Sequence, residues 1–286
     1  MTVNQVRDPA LAVSVSGVSK SFRRETAVRR AFSRSARASN KLALDHIDLS
    51  VNRGEMVAVV GLNGSGKSTL IRVLATLLLP DVGNASVFGF DVVKEAQQVR
   101  RHVNRVSVEA AFFKEMSPWE NLSYATRLYG GGGGQIRERA LQAMARLSLP
   151  RSVMDKPMKQ LSRGQQQKVA IARCLLTSPS LLLMDEPTTG LDPHSKREVH
   201  EFVLDLHAES NITVLLCTHD LSEAEVLCGR VLVLDRGRIL ADASPQQLRA
   251  MHDGISLEDV FLKLTGKSFA DDREDAASLN TGTESA

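Results

Sequence analysis

Aromatic side chains are scarce in this sequence: they fill 4% of its 286 positions, with one Trp and two Tyr. A core must therefore be assembled from Leu, Val, Ile and Ala, which the hydrophobic fraction of 43% permits. Cysteine is sparse too. Cys174, Cys217 and Cys228 are the whole complement, and their spacing suits neither a metal site nor a disulfide framework. They read as buried free thiols in a reducing compartment. No apolar run approaches the roughly 20 residues that cross a bilayer. Residues 1–10 contain Asn, Gln, Arg, Asp and Pro, which excludes the apolar stretch of a secretory signal. The expectation is a cytoplasmic chain that meets a membrane only through a partner.

A strong excess of one charge is also missing. The net charge of +3 is too mild to argue for a nucleic-acid partner. Its distribution is uneven. Residues 20–41 hold eight basic side chains against one acidic, Glu25, and residues 267–286 hold two basic against five acidic. The second stretch reads as a solvated, disordered tail.

Residues 13–16 and 42–51 read as short strands. Val57, Ala58, Val59 and Val60 form a continuous apolar run, which suits a strand buried on both faces of a parallel sheet. Glycine-rich sequence follows, then a helical pattern over 67–78 that stops at Pro80 and Asp81. Residues 94–149 read as mainly helical and contain five glycines at 130–134, expected as a loop tip between helices. Beyond residue 161 strands and helices alternate again. The pattern gives a strand over 181–184, a helix over 193–209 with Pro at its start, and a strand over 213–217. Strands over 230–235 and 238–243 pair around Arg236-Gly237, and short helices follow near 244–251 and 256–265.

The segment Gly61-Leu62-Asn63-Gly64-Ser65-Gly66-Lys67-Ser68-Thr69 fits the phosphate-loop pattern without exception. Small residues let the backbone wrap phosphates and aim N–H groups at them, and the helix that starts there adds its positive end. Lys67 suits the β and γ phosphates of ATP, and Ser68 suits Mg²⁺. A bare glycine turn between strand and helix would need neither. Residues 181–186 read Leu-Leu-Leu-Met-Asp-Glu. Asp185 at the end of a buried strand is costly unless a cation such as Mg²⁺ compensates it. Glu186, one residue on, is placed to take a proton from an attacking water.

Leu161-Ser162-Arg163-Gly164-Gln165 resembles the signature motif of the ABC ATPases, with Arg in its tolerant third position. Asp192, after Thr189-Gly190-Leu191, is similar to the family's D-loop, and His219, in Thr218-His219-Asp220, to its switch histidine. Phe22 is similar to the aromatic that stacks on adenine, although a strand-end core aromatic would look the same. Asp192 also reads as the cap of the helix at Pro193, and both roles are compatible. The resemblance covers about residues 13–266. It implies an α/β fold: a P-loop NTPase with a RecA-like parallel-sheet core, an N-terminal antiparallel β subdomain, and a helical subdomain over about 94–177. It further implies catalytic Lys67, Glu186 and His219, a metal held by Ser68 and Asp185, and a head-to-tail dimer with a second ATPase subunit. In that dimer Ser162, Gly164 and Gln165 of one copy face the phosphate loop of the other.

Two places depart from the family pattern. The resemblance aligns residues 103–107 with the family strand that enters the helical subdomain, and Val108, followed by Glu109, then stands where the family has a Gln that touches Mg²⁺ and the attacking water, which predicts altered coupling there. Phe112, Phe113, Met116 and Trp119 are expected to form the apolar lip that receives the membrane partner. Residues 23–40 look like an insertion, with Arg23, Arg24, Arg29, Arg30, Arg34 and Arg37 among Ala27, Val28, Ala31 and Phe32. It reads as a solvated basic loop or as a contact with anionic lipid. Residues 256–266 resemble the end of ABC-2 type exporter ATPases, so export of a drug, polysaccharide or lipid is expected. The alternatives are an importer ATPase or a soluble ABC ATPase outside transport, although the two-domain and coiled-coil forms of the latter do not match this chain.

Overall fold

The computed structural model describes residues 8–23, 40–107, 112–128, 136–176, 178–252 and 254–266. Residues 24–39, Val108 and Glu109, the glycines at 130–134 and the tail 267–286 lie outside the described residues, and readings of them rest on sequence alone.

Two sheets organise the chain. β1 (Leu11–Arg23) and β2 (Asn40–Asn52) pair antiparallel. β4 (Val82–Val87) and β5 (Phe90–Asp91) complete a four-stranded sheet in the order β2-β1-β4-β5. Both β1 and β2 run longer than the sequence pattern indicates. Register shifts at Val15/Val18 and Val18/Lys20 break the period-two alternation that marks a strand, so its continuation is hidden.

The second sheet has the order β10-β9-β3-β8-β7-β6. Its strands are β10 (Arg238–Ala243), β9 (Arg230–Asp235), β3 (Met56–Val60), β8 (Thr213–Thr218), β7 (Leu181–Asp185) and β6 (Val103–Ser107). All neighbours are parallel except β10, which returns antiparallel on β9. The turn between them places Arg236 at φ 46° and Gly237 at φ 80°, the positive pair of a type I′ hairpin. The central strands are buried on both faces, which accounts for their unbroken apolar sequence. Val57, Val59, Leu181, Leu183 and Leu215 join a core with the antiparallel sheet and helix α1 (Lys67–Leu74). Ala58, Val60, Leu182, Met184 and Leu216 join the core on the opposite face.

α1 ends four residues earlier than the expected 78. Thr76 turns left-handed at φ 60°, and the Leu77 and Leu78 N–H groups both bond the Arg72 carbonyl, which closes the helix before Pro80. The stretch expected as helical over 94–177 is mixed. It opens with α2 (Ala96–His102), but β6 then pairs parallel with β7 as the edge of the main sheet. Helices follow at α3 (Pro118–Leu128), α4 (Ile136–Arg146) and α5 (Arg163–Leu175). The remaining helices are α6 (Pro193–Ser210), α7 (Leu221–Leu227), α8 (Pro245–Met251) and α9 (Leu257–Thr265). Among the described residues no helix is long and apolar enough to cross a membrane. All three cysteines are buried, and burial pushes the Cys174 thiol up to about 11.

Candidate nucleotide site

The parallel strands β3, β7 and β8 carry the candidate residues out at their C-terminal ends, where a parallel sheet collects its ligands. β3 runs into the glycine loop. A Cβ on Gly61 would stand 2.3 Å from the Leu234 carbonyl oxygen and 2.6 Å from Ser65 Oγ. Gly66 has φ 118°, and a Cβ there would stand 2.4 Å from the Ala43 carbonyl oxygen. Only glycine fits at either place. Lys67 opens α1 and is 4% exposed. Its Nζ donates to the carbonyl oxygens of Gly61 (2.6 Å) and Leu62 (3.1 Å), so the loop closes around the ammonium. Ser65 Oγ is buried with no hydrogen-bond partner among the described residues. Gly64 and Asn63 are exposed at the tip, and Thr69 is half-buried in α1.

β7 delivers Asp185 and then Glu186. Ser68 Oγ donates to Asp185 Oδ1 at 2.9 Å, while burial pushes the Asp185 carboxyl up. Glu186 sits at φ 51°, a left-handed turn that only close fixing holds for a non-glycine residue. Its N–H donates to the Cys217 carbonyl. One carboxylate oxygen stands 3.5 Å from Lys67 Nζ, and the other 3.2 Å from His219 Nδ1. The His219 contact is an ion-pair approach without the alignment of a hydrogen bond. Burial pushes Glu186 up, but His219 first and Lys67 second outweigh it and hold the carboxyl at about 2. The same contact raises His219 above its ordinary 6.5 against the opposing effect of burial.

Ser162 caps α5. Its Oγ accepts the Gln165 N–H, and Gln165 Oε1 accepts the Ser162 N–H, which makes a capping box. Gly164 lies against Ser195 of α6: a Cβ there would meet Ser195 Oγ at 3.2 Å. Asp192 accepts the His194 and Ser195 N–H groups at 3.0 Å, and these bonds hold its carboxyl at about 2. The capping role is thus filled whatever else Asp192 does. Within this one chain, no hydrogen bond or ion pair among the described residues joins Ser162, Gly164 or Gln165 to the phosphate loop. Phe22, 41% exposed near the end of β1, pairs in register with Lys41 of β2. Lys41 Nζ stands 3.5 Å from where a Gly64 Cβ would lie. The Phe22–Lys41 rung therefore flanks the glycine loop.

Some partners have no sequence pattern to reveal them. Thr189 Oγ1 donates to Glu186 Oε2 at 3.1 Å. Lys41 is visible only through strand register. The four residues expected at the apolar lip fall in two places. A groove of about 490 Å³ between α2, β6, α3 and α5 is lined by Phe112 and Phe113, with Arg100, Arg105, Tyr124 and Arg173. Met116 and Trp119 do not line it. Trp119 instead packs on the core beneath the Arg137 guanidinium, 4.9 Å from its ring.

Residues 44–189 match the family model described as ABC transporter. The chain belongs to the ABC transporter family of ATP-binding subunits. A second model, described as an AAA domain, putative AbiEii toxin, Type IV TA system, matches residues 154–225. The ABC chain is 40% identical over 231 residues to the Daunorubicin resistance ATP-binding protein DrrA3 of Streptomyces coeruleorubidus, covering 81% of this chain and 72% of that protein. It is 37% identical over 212 residues to the Fe(3+) ions import ATP-binding protein FbpC of Photorhabdus laumondii, covering 74% of this chain and 60% of that one. Its fold matches the ATP-binding cassette MJ0796, solved as a dimer in a post-hydrolysis state with ADP and Pi, with a TM-score of 0.72 and 26% identity. That match covers 81% of this chain and 98% of the other. As an ABC transporter ATPase the chain binds and hydrolyses ATP. The relatives thus include both a drug-resistance and an ion-import ATP-binding protein.

Proposed function

We propose that this subunit powers export, in a head-to-tail dimer docked on the inner face of a membrane-spanning partner. The observation that carries the catalytic part is the placement of Glu186 within reach of both Lys67 and His219 at the mouth of the glycine loop. ATP lies in that loop, with the β and γ phosphates drawing Lys67 Nζ away from the Gly61 and Leu62 carbonyls. The Ser65 hydroxyl, without a hydrogen-bond partner among the described residues, and the buried Lys67 ammonium inside the loop fit a phosphate chain. Phe22 stacks on the adenine. Mg²⁺ fits between the Ser68 hydroxyl and Asp185, whose burial otherwise has little to offset it. When bound it neutralises charge on the phosphates.

Glu186 takes a proton from the attacking water. At about 2 its pKa is too low for that role while two cations face it. Phosphates that attract Lys67 and His219 relieve it, and burial then raises its basicity. Ser162, Gly164 and Gln165 at the start of α5 meet the γ-phosphate of the second subunit with a helix N-terminus. Hydrolysis weakens that bridge and the halves part. The groove at Phe112 and Phe113 receives the partner, and residues 23–40 add a contact with anionic lipid.

Export rests on the similarity to drug-resistance proteins and on the sequence of residues 256–266. Reconstitution with its membrane partner in inside-out vesicles tests it. Export gives ATP-dependent accumulation of substrate inside those vesicles, with no need for a separate binding protein. Transport in the opposite direction, dependent on a binding protein, would instead support the importer reading that the similarity to FbpC favours.

A further inference from the structure

Beneath the Glu186–His219 pair lies a carboxylate that the reaction does not use. Glu223, in the first turn of α7, is 1% exposed. A carboxylate this deep is costly unless it is fully hydrogen-bonded. Its donors come from three separate elements. Thr188 Oγ1, on the turn between β7 and α6, donates to Oε1 at 2.7 Å. His200 Nε2, in the middle of α6, stands 3.1 Å from the same oxygen. Thr218 Oγ1, the last residue of β8, donates to Oε2 at 2.6 Å.

These attachments bracket the reacting pair. Thr188 is two residues beyond Glu186, and Thr218 immediately precedes His219. The circuit continues past His219, because Thr218 Oγ1 also accepts the Asp220 N–H at 3.0 Å. Asp220 in turn accepts the Glu223 N–H at 3.0 Å and pairs with Lys196 of α6. Of the two neighbours of His219, Thr218 is thus anchored directly to the buried carboxylate, and Asp220 to Thr218, to the Glu223 backbone N–H and to Lys196 of α6. The same carboxylate fixes the turn that holds Glu186 in its left-handed conformation.

We propose that Glu223 is a positioning residue for ATP hydrolysis, a strut that fixes the distance between Glu186 and His219 by binding the Thr188 and Thr218 hydroxyls on its two oxygens. The proposal rests on the reading of Glu186 and His219 as the hydrolytic pair. Glu223 acts through them and does not touch nucleotide. Its loss misplaces a pair that meets at 3.2 Å, and a shift of about 1 Å costs up to roughly a hundredfold in rate.

The test uses the full chain. Glu223→Gln keeps volume but removes the charge and replaces one acceptor with a donor, so one of the two hydroxyls must turn to accept and both bonds lose their charge assistance. Thr188→Val removes the other attachment and leaves the carboxylate in place, which guards against a Glu223 variant that does not fold. Both should lose roughly tenfold or more in kcat, with KM for ATP and affinity for a fluorescent ATP analogue within about twofold of wild type. The His219 ring titration, followed by NMR, should move down in both as its contact with Glu186 loosens. A merely structural role would lower the melting temperature and leave kcat and the titration of the folded fraction unchanged, and that result overturns the proposal. Glu186→Gln is measured alongside. If it hydrolyses ATP normally, the reading beneath the proposal fails and takes the proposal with it. If it is inactive while Glu223→Gln and Thr188→Val match wild type, only the strut is refuted.

Discussion

His219 Nδ1 stands 3.2 Å from Glu186 Oε2, joining the ends of two neighbouring parallel strands. When His219 is protonated the pair holds opposite charges, so each residue favours the charged form of the other. Glu186→Gln removes the charge and keeps the shape. It should retain ATP binding and slow hydrolysis by roughly a hundredfold or more. The variant should also accumulate an ATP-bound dimer, visible as an earlier peak in gel filtration. Normal turnover would remove Glu186 from the reaction.

The same pair predicts a pH window. Glu186 is depressed to about 2 from 4.5, so its contribution to stability is present above 4.5 and is lost as pH falls toward 2. His219 is raised above 6.5, so its contribution is full below 6.5 and fades as pH rises through its folded value. The difference in melting temperature between wild type and Glu186→Gln should therefore be greatest between pH 4.5 and 6.5 and should narrow on both sides. A flat difference across that range would show that the two groups are not coupled.

Much of this site is legible in sequence because its parts are local. Gly61 to Thr69 and Asp185-Glu186 are adjacent residues whose chemistry follows from type and order. The fold's alternation was readable for the same reason wherever a strand is apolar on both faces. Three kinds of feature are weakly marked in the residue pattern. β4 has exposed Val82, Gly83 and Asn84, which give neither alternation nor an apolar run. β6 is half-buried with Asn104 and Arg105 inside it, so the residue pattern does not mark it, and only the family resemblance places a strand over 103–107. Thr188, Thr218 and Glu223 meet only because three elements pack there, and hydrogen bonds between distant residues leave no spacing to read.

Ser162 separates two roles at one residue. As a helix cap it is worth about 1 kcal/mol, and Asp caps as well as Ser. Ser162→Asp should therefore keep the melting temperature within a few degrees. If Ser162 also faces the γ-phosphate of a second subunit, the new negative charge should abolish ATP-driven dimerisation, read by light scattering of a slowly hydrolysing background. Dimerisation at wild-type ATP concentrations would place the signature away from the phosphate.

Residues 23–40 give a prediction from sequence alone. Replacing Arg29, Arg30, Arg34 and Arg37 with Ser should sharply reduce pelleting with phosphatidylserine vesicles, since each Arg near an anionic surface contributes about 1 kcal/mol. ATP hydrolysis in solution should not change. Equal pelleting of both proteins would leave the stretch as a solvated loop.

The burial of Cys174, Cys217 and Cys228 has a practical side. Solvent reaches none of the three freely, and burial keeps every one of these thiols in its protonated, unreactive form near neutral pH. Maleimide dyes and nitroxide labels would thus find almost no background target on the native protein. A single new cysteine on an exposed helix would report subunit approach and separation in real time, without first stripping the natural cysteines from a core that they help to fill.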